Sequence, residues 1–235
     1  MSNHPLVSIV VATYNERENI LQTIKEIFRC VTPPLEVIVV DDNSPDRTWE
    51  VVEQLNQPNV RLIRRVDERG LASAFYRGIQ ESKGEIVGWM DADRSMPPSL
   101  LPGMIEKLSE YDIVIASRYV PGGKDDRSLV RVLASWLINK FAQIVLTPKI
   151  RDFDSGFIVL NRSVLVDVPL IPTGYGEYFI EFLYAAAKRE YRILEVPYIF
   201  KERQKGASKS VANPCHFFKT GLNYIFRIIS ARLRN

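Results

Sequence analysis

An α/β fold, with a mainly parallel sheet covered by helices on both faces and turning mixed in its second half, is what three observations predict. Four β-branched apolar runs alternate with helical patterns before residue 91. Those runs are continuously apolar rather than alternating, as strands buried on both faces are. The chain of 235 residues, 46% hydrophobic and 25% charged, is also long enough to bury one large core without disulfides. No internal repeat, low-complexity tract or linker-like boundary interrupts it, so one α/β domain is expected.

The elements follow in order. LVSIVVAT (6–13) is a strand of buried-sheet length, and Asn15 is a plausible N-cap for ERENILQTIKEIFRC, whose Ile20, Leu21, Ile24, Ile27 and Phe28 share a helical face. LEVIVV (35–40) is the second strand; Ser44-Pro45 then reads as N-cap and first residue of a helix through DRTWEVVEQL. NVRLIRR (59–65), LASAFYRGIQES (71–82) and EIVGWM (85–90) continue as strand, helix and strand. Beyond residue 91 the rhythm loosens. A Pro-initiated helix (97–110), a strand DIVIASRY (112–119), a long apolar helix SLVRVLASWLINKFAQIVL (128–146), a strand FIVLN (157–161), a helix (176–190) and a strand YRILEVPYIF (191–200) are expected there.

Two cysteines, Cys30 and Cys215, define neither a disulfide framework nor a zinc spacing. No stretch reaches the ~18 consecutive apolar residues of a membrane span, and MSNHPL is not a signal peptide. The net charge of +3 is too small to point to nucleic acid, and none is expected as a partner. Its distribution is uneven. Residues 201–235 hold eight basic side chains and one acidic one, a local +7 against −4 for the rest. A basic end on an acidic body is expected to meet something anionic.

In parallel α/β sheets ligands bind beyond the carboxyl ends of the strands. Glu16, Asp41-Asp42 and Asp91-Ala92-Asp93 all fall there. In extended chain the side chains of Asp91 and Asp93 point to one side, and two carboxylates that close repel unless a cation lies between them. Such oxygen ligands suit Mg²⁺ or Mn²⁺ completed by substrate phosphates. A single DxD is as often a solvated turn; three acidic strand ends in one sheet favour a metal–nucleotide site. GxGxxG and GxxxxGK[ST] are absent, and His4 and His216 lie near the ends. An aspartyl-phosphate phosphatase built on Asp91 and Asp93 is a rival reading.

VSIVVATYNERENI, VIVVDDNSPDRTW and RGLASAFYRGIQESKGEIVGWMDAD together resemble the glycosyltransferase family 2 nucleotide-sugar domain, with its A-type glycosyltransferase fold. SRYVPGG, RDFDSGF and EVPYIFKERQKGASKS narrow the resemblance to the dolichol- or polyprenyl-phosphate mannose synthase branch. It runs in order from about Val7 to Lys209. It implies that Ala12, Tyr14, Glu16, Val40 and Asp42 hold the guanosine end of GDP-mannose. Asp91, Ala92 and Asp93 would hold the diphosphate through Mg²⁺ or Mn²⁺, with Ser95 where relatives place a third metal ligand. Arg118, Arg203 and Lys209 would surround the phosphates, and Arg131 would meet the acceptor phosphate. Arg118 could equally pair with Asp91 or Asp93. Ala12 stands where Pro is usual, and Arg94-Ser95-Met96 replaces a more common Leu-Gln-His or Leu-Ser-His.

The reaction implied is inverting transfer of mannose to a polyprenyl (dolichyl) phosphate. The phosphate monoester is already anionic at pH 7, so no base is required and the protein's work is positioning and charge stabilisation. UDP-glucose as donor and a non-catalytic nucleotide-sugar sensor are the other readings. Residues 1–213 form the expected catalytic domain and 214–235 a separate amphipathic basic helix. In that helix Phe218, Leu222, Ile225 and Ile229, widened by Phe217, Phe226 and Ile228, make an apolar stripe among Lys219, Arg227, Arg232 and Arg234. Such a helix suits an anionic membrane surface, with Trp136 as a second contact, or equally a helix packed on the domain. A peripheral place on the cytoplasmic face of a membrane, with room for a small membrane-protein partner, is the matching expectation.

Overall fold

The computed structural model describes residues 5–32, 34–201 and 214–234, the side chains of the last segment from 220 onward. Seven strands form one sheet: β1 (Val7–Thr13), β2 (Leu35–Asp41), β3 (Val60–Arg64), β4 (Ile86–Asp91), β5 (Ile113–Ser117), β7 (Ile158–Asn161) and β8 (Ile193–Pro197), in the order β3-β2-β1-β4-β7-β5-β8. A two-stranded parallel ribbon, β6 (Lys124–Asp125) with β9 (Ile199–Phe200), lies apart from it. β1 through β4 are mutually parallel, β7 runs antiparallel to both β4 and β5, and β8 returns parallel to β5. The expected change to a mixed sheet therefore occurs at β7.

Period-two alternation divides the strand residues between two cores. Ile9, Val11, Val37, Val39 and Met90 pack against α1 (Ile20–Cys30), α2 (Thr48–Glu53) and α4 (Leu101–Glu106). Val10, Ile38, Val40, Trp89, Ile115 and Ile158 pack against α3 (Leu71–Glu81), α6 (Val164–Asp167) and α7 (Tyr178–Lys188). The same core takes Ala142 of α5 (Leu129–Val145) and Ile228 and Ala231 of α8 (Pro214–Arg234). Gly78 lets α3 sit close to the sheet: a Cβ there would overlap the Val10 side chain.

Two helix starts differ from expectation for one reason. Asn15 is left-handed (φ 55°) and does not cap; α1 begins at Ile20. The Asn15 N–H donates to Ser44 Oγ (3.0 Å) and the Glu16 N–H to Thr48 Oγ1 (2.9 Å), so this turn is tied to the loop after β2. Ser44 is correspondingly occupied: its hydroxyl donates to Asp41 (2.6 Å), and Asp46 instead accepts from the Thr48 N–H (2.9 Å) at the start of α2. Long-range side-chain bonds overrode the local capping pattern.

α8 packs against α5 and α7. Buried Ile228 and Ala231 face the core, which corrects the placing of Ile228 in the outward stripe. Leu222, Ile225, Phe226, Ile229 and Leu233 are exposed. Arg227 (2.7 Å) and Arg234 (3.2 Å) both donate to Glu181, and Arg232 to the Tyr184 hydroxyl (2.8 Å), so these three charges are bonded to α7. Phe217, Phe218 and Lys219 lie outside the described side chains.

Candidate active site

The strand order reverses at β1, since β2 and β3 lie to one side of it and β4 to the other. This is the switch point where α/β sheets open a crevice beyond their carboxyl ends. Register fixes what meets there: Ala12 lies opposite Val40 on one side and Asp91 on the other, and Thr13 opposite Asp41. Two open clefts, of about 870 and 990 Å³ when the open solvent at their mouths is included, flank this point. Leu71, Asp91, Asp93 and Tyr175 line both, so the DxD pair is part of the partition between them.

The smaller cavity gathers Ala12, Tyr14, Glu16, Asp42, Asp91, Ala92 and Asp93. Of the residues expected at the guanosine end, Val40 is the exception: fully buried, it packs toward α3 and lines neither cavity, while Arg118, expected at the donor phosphates, lines the other cavity. Asp42 is held rigidly. The buried Arg65 donates to it from Nε (2.7 Å) and Nη2, and the Gly70 N–H reaches its other oxygen (2.8 Å). Arg69 stacks its guanidinium 3.7 Å from the centre of the Tyr14 ring. Asp41, in contrast, is sealed in by Thr13 (2.8 Å) and Ser44 (2.6 Å) and is structural.

At the partition, the Ser95 N–H (3.0 Å) and hydroxyl (2.5 Å) both donate to Asp93 Oδ1, and the Asp91 N–H meets Met96 Sδ (3.3 Å). Arg94, left-handed at φ 65°, reaches Glu26 on α1 (3.1 Å). The unusual Arg-Ser-Met triplet thus has its arginine on α1, its serine as a brace on Asp93 and its methionine against the Asp91 backbone. Among the described residues no three His, Cys, Asp or Glu side chains could hold a metal together. The donor set still fits a hard divalent cation, because two carboxylates and a hydroxyl line one cavity and substrate phosphates would supply the remaining oxygens.

The larger cavity is the cationic one, lined by Arg118, Arg127 and Arg131 together with Ser95, Asp154, Tyr178, Thr220 and Tyr224. Arg118 pairs neither with Asp91 nor with Asp93. Its Nε (2.8 Å) and Nη2 (2.6 Å) donate to buried Asp152 as a fork, with Asp125 and Asp154 each 3.6 Å away. Burial opposes its charge, yet Asp152 first and Asp154 more weakly raise its pKa well above the ordinary value, so it stays cationic. Arg127 forms a second fork on Asp125 (2.8 and 2.6 Å) and lies 4.9 Å from the Phe200 ring centre. A guanidinium carries five N–H groups, so these forks orient both arginines without exhausting them. Asp154 accepts the Tyr224 hydroxyl at 2.7 Å; burial raises its pKa against the pull of Arg118 and Tyr224. Tyr178, donor-bonded by Trp89 (2.9 Å), is buried beside them. Arg203 and Lys209 lie outside the described residues.

Residues 8–168 match the sequence profile of glycosyl transferase family 2. The chain belongs to that family. A dolichol-phosphate mannosyltransferase of Pyrococcus furiosus is 41% identical over 86% of this family 2 chain, which spans only 58% of that protein's length. An undecaprenyl-phosphate mannosyltransferase of Micrococcus luteus is 34% identical over 86% of both. Among solved structures, glucosyl-3-phosphoglycerate synthase of Mycobacterium tuberculosis, in complex with Mn²⁺, UDP and phosphoglyceric acid, superposes with a TM-score of 0.75. It covers 97% of this chain and 78% of that one at 18% identity. This last likeness establishes the A-type glycosyltransferase fold.

Several site residues escaped the sequence reading. Asp152 and Asp154 sit inside RDFDSGF, which carried the resemblance, but had no role assigned. Arg65, Arg69 and Arg127 gave no periodic or motif signal. Thr220 and Tyr224 lie four apart, one helical turn, and that spacing on one face was the signal available for them.

Proposed function

We propose that this protein transfers mannose from GDP-mannose to a polyprenyl phosphate with inversion, at a membrane surface. The observation that carries the reading is the partition: one cavity with a rigid carboxylate and a stacked tyrosine, one with three arginines, meeting at Asp91 and Asp93. The first suits a nucleoside and the second a phosphate monoester, so the two reacting groups would face each other across the DxD pair. The similarity to two polyprenyl-phosphate mannosyltransferases supports the same pairing of substrates.

Asp91 and Asp93, with Ser95 bracing Asp93, would hold a divalent cation on the donor diphosphate. That ion would neutralise charge as GDP departs. Asp42 and Tyr14 would bind the nucleoside, with Glu16 beside them. Arg118, Arg127 and Arg131 would orient the acceptor phosphate so that its oxygen attacks the anomeric carbon while the bond to GDP breaks. The phosphate arrives ionised, so no side chain has to remove a proton, and catalysis rests on positioning and charge.

An acceptor whose tail stays in the bilayer requires the larger cavity to open at the lipid surface. α5 exposes Leu129, Val130, Leu133, Trp136, Leu137 and Ile144 beside Arg131, and α8 exposes its own stripe from Leu222 to Leu233. α5 and α8 pack on one another, so these faces bracket the arginine cavity. No helix among the described residues is long and apolar enough to cross a membrane. We therefore read the contact as peripheral, held mainly by apolar insertion because three of the C-terminal arginines bond inward. The acceptor leaves room for a small membrane-protein partner as well.

The test is incubation with Mg²⁺ or Mn²⁺, polyprenyl phosphate and a panel of radiolabelled nucleotide sugars, followed by lipid extraction. Label should enter lipid from GDP-mannose, as an alkali-stable, β-linked mannosyl phosphate. Label entering only from UDP-glucose would move the donor assignment, and none from any donor would sink the transfer reading.

A further inference from the structure

The larger cavity has one wall that comes from α8, through Thr220 and Tyr224. α8 is the helix that also carries the exposed apolar stripe, so one element faces both the proposed lipid surface and the site. Its inward face is fastened at a definite rotation. Three residues beyond Tyr224, Arg227 donates to Glu181 on α7 (2.7 Å) and to the Thr173 carbonyl (2.9 Å). Gly176 makes room for the result, since a Cβ there would run into the Tyr224 hydroxyl.

That hydroxyl donates to Asp154 Oδ1 at 2.7 Å, and the other carboxylate oxygen of Asp154 stands 3.6 Å from Arg118 Nη2. The distance is long for a charged hydrogen bond. Asp152 and Asp125 already fork Arg118 and Arg127, whereas Asp154 is the acid in this cluster whose strongest bond is to a neutral partner. An aspartate free to turn would close on the nearest guanidinium and compete directly with a phosphate for it.

We propose that Tyr224 is a positioning residue of the acceptor site. Its hydroxyl holds Asp154 off Arg118, leaving guanidinium N–H groups directed at an incoming phosphate monoester. The inference deepens the polyprenyl-phosphate reading and rests on it. It also gives α8 a task in the site besides surface contact: Tyr224 ties the exposed helix to the acid beside the arginine cluster.

Tyr224→Phe removes the hydroxyl and keeps the ring. Binding of a short polyprenyl phosphate in detergent, and of GDP with Mg²⁺, is measured by calorimetry for both proteins. The variant should bind the polyprenyl phosphate more weakly by about tenfold or more, the effect of one hydrogen bond to a charged group, with GDP affinity unchanged. Placed on Asp154→Asn, which has no charge to hold back, Tyr224→Phe should add nothing further. Unchanged lipid-phosphate affinity, additive effects in the double variant, or equal losses for both ligands would each overturn the proposal. A parent protein that binds GDP but not polyprenyl phosphate would overturn the acceptor reading and this inference together. A parent that binds and transfers, with Tyr224→Phe indistinguishable from it, would overturn the inference alone.

Discussion

The two cavities are built by different means. In the carboxylate cavity the functional groups stand at strand ends, and parallel register sets their spacing: Ala12 opposite Asp91, Thr13 opposite Asp41. In the arginine cavity Arg118 follows β5, while Asp152, Asp154, Arg127 and Tyr224 come from loops and a distant helix that share no ladder. What aligns them is a series of buried ion pairs and hydrogen bonds. Backbone topology makes the first half of the site almost obligatory once the sheet forms; the second half exists only when its own charges are mutually satisfied.

The largest expected effect separates chemistry from architecture. Asp91→Asn or Asp93→Asn should lower transfer by about 10³-fold, by removing charge stabilisation at the departing diphosphate. The urea midpoint should stay put, since strand register and not these carboxylates holds this half together. Transfer within a few-fold of the parent at matched metal would remove the DxD pair from the mechanism.

In the other half the corresponding change should unfold. Asp152→Ala leaves Arg118 buried without its fork, and losing one partner of a buried pair costs about 3–5 kcal/mol. Urea denaturation reads it directly, and a loss under 1 kcal/mol would mean that the arginine cavity is as topologically fixed as its neighbour.

α8 permits the same contrast on a single helix. Ile228→Ala, in the core, should cost about 2–4 kcal/mol, whereas Phe226→Ser, 70% exposed, should lie within about 0.5 kcal/mol. Vesicle flotation should reverse the order, with Phe226→Ser weakening association and Ile228→Ala, if folded, retaining it. Unaltered flotation of Phe226→Ser would take the exposed stripe out of the membrane contact.

The smallest effect concerns pH. Burial raises the Asp154 carboxyl above the ordinary carboxylate range, more than Arg118 and Tyr224 lower it. The folded state therefore binds this proton more tightly than the unfolded chain, and its contribution to stability is lost as pH rises from the ordinary carboxylate pKa through the raised one. Asp154→Asn should be slightly more stable than the parent at pH 7, with the advantage fading below the ordinary carboxylate pKa. An advantage that grew on acidification would show that Arg118 and not burial dominates Asp154.

The sequence by itself determined the parallel half-sheet, that its second half is mixed, and the acidic strand ends; that β7 is the antiparallel strand came from the structure. Apolar runs of strand length between amphipathic helices admit few other topologies, and the carboxyl ends of parallel strands are fixed relative to one another by register. It also named Asp42, Asp91, Asp93, Arg118 and Arg131 as candidates for the site, the first three by position in that sheet as well as by resemblance. Tertiary structure alone decided that Val40 turns to the core and that Asn15 does not cap. It decided as well that Asp152 takes Arg118, and that the two faces of α8 divide between core and surface. Each of these depends on which distant side chain arrives within about 3 Å, and local pattern holds no information about that distance.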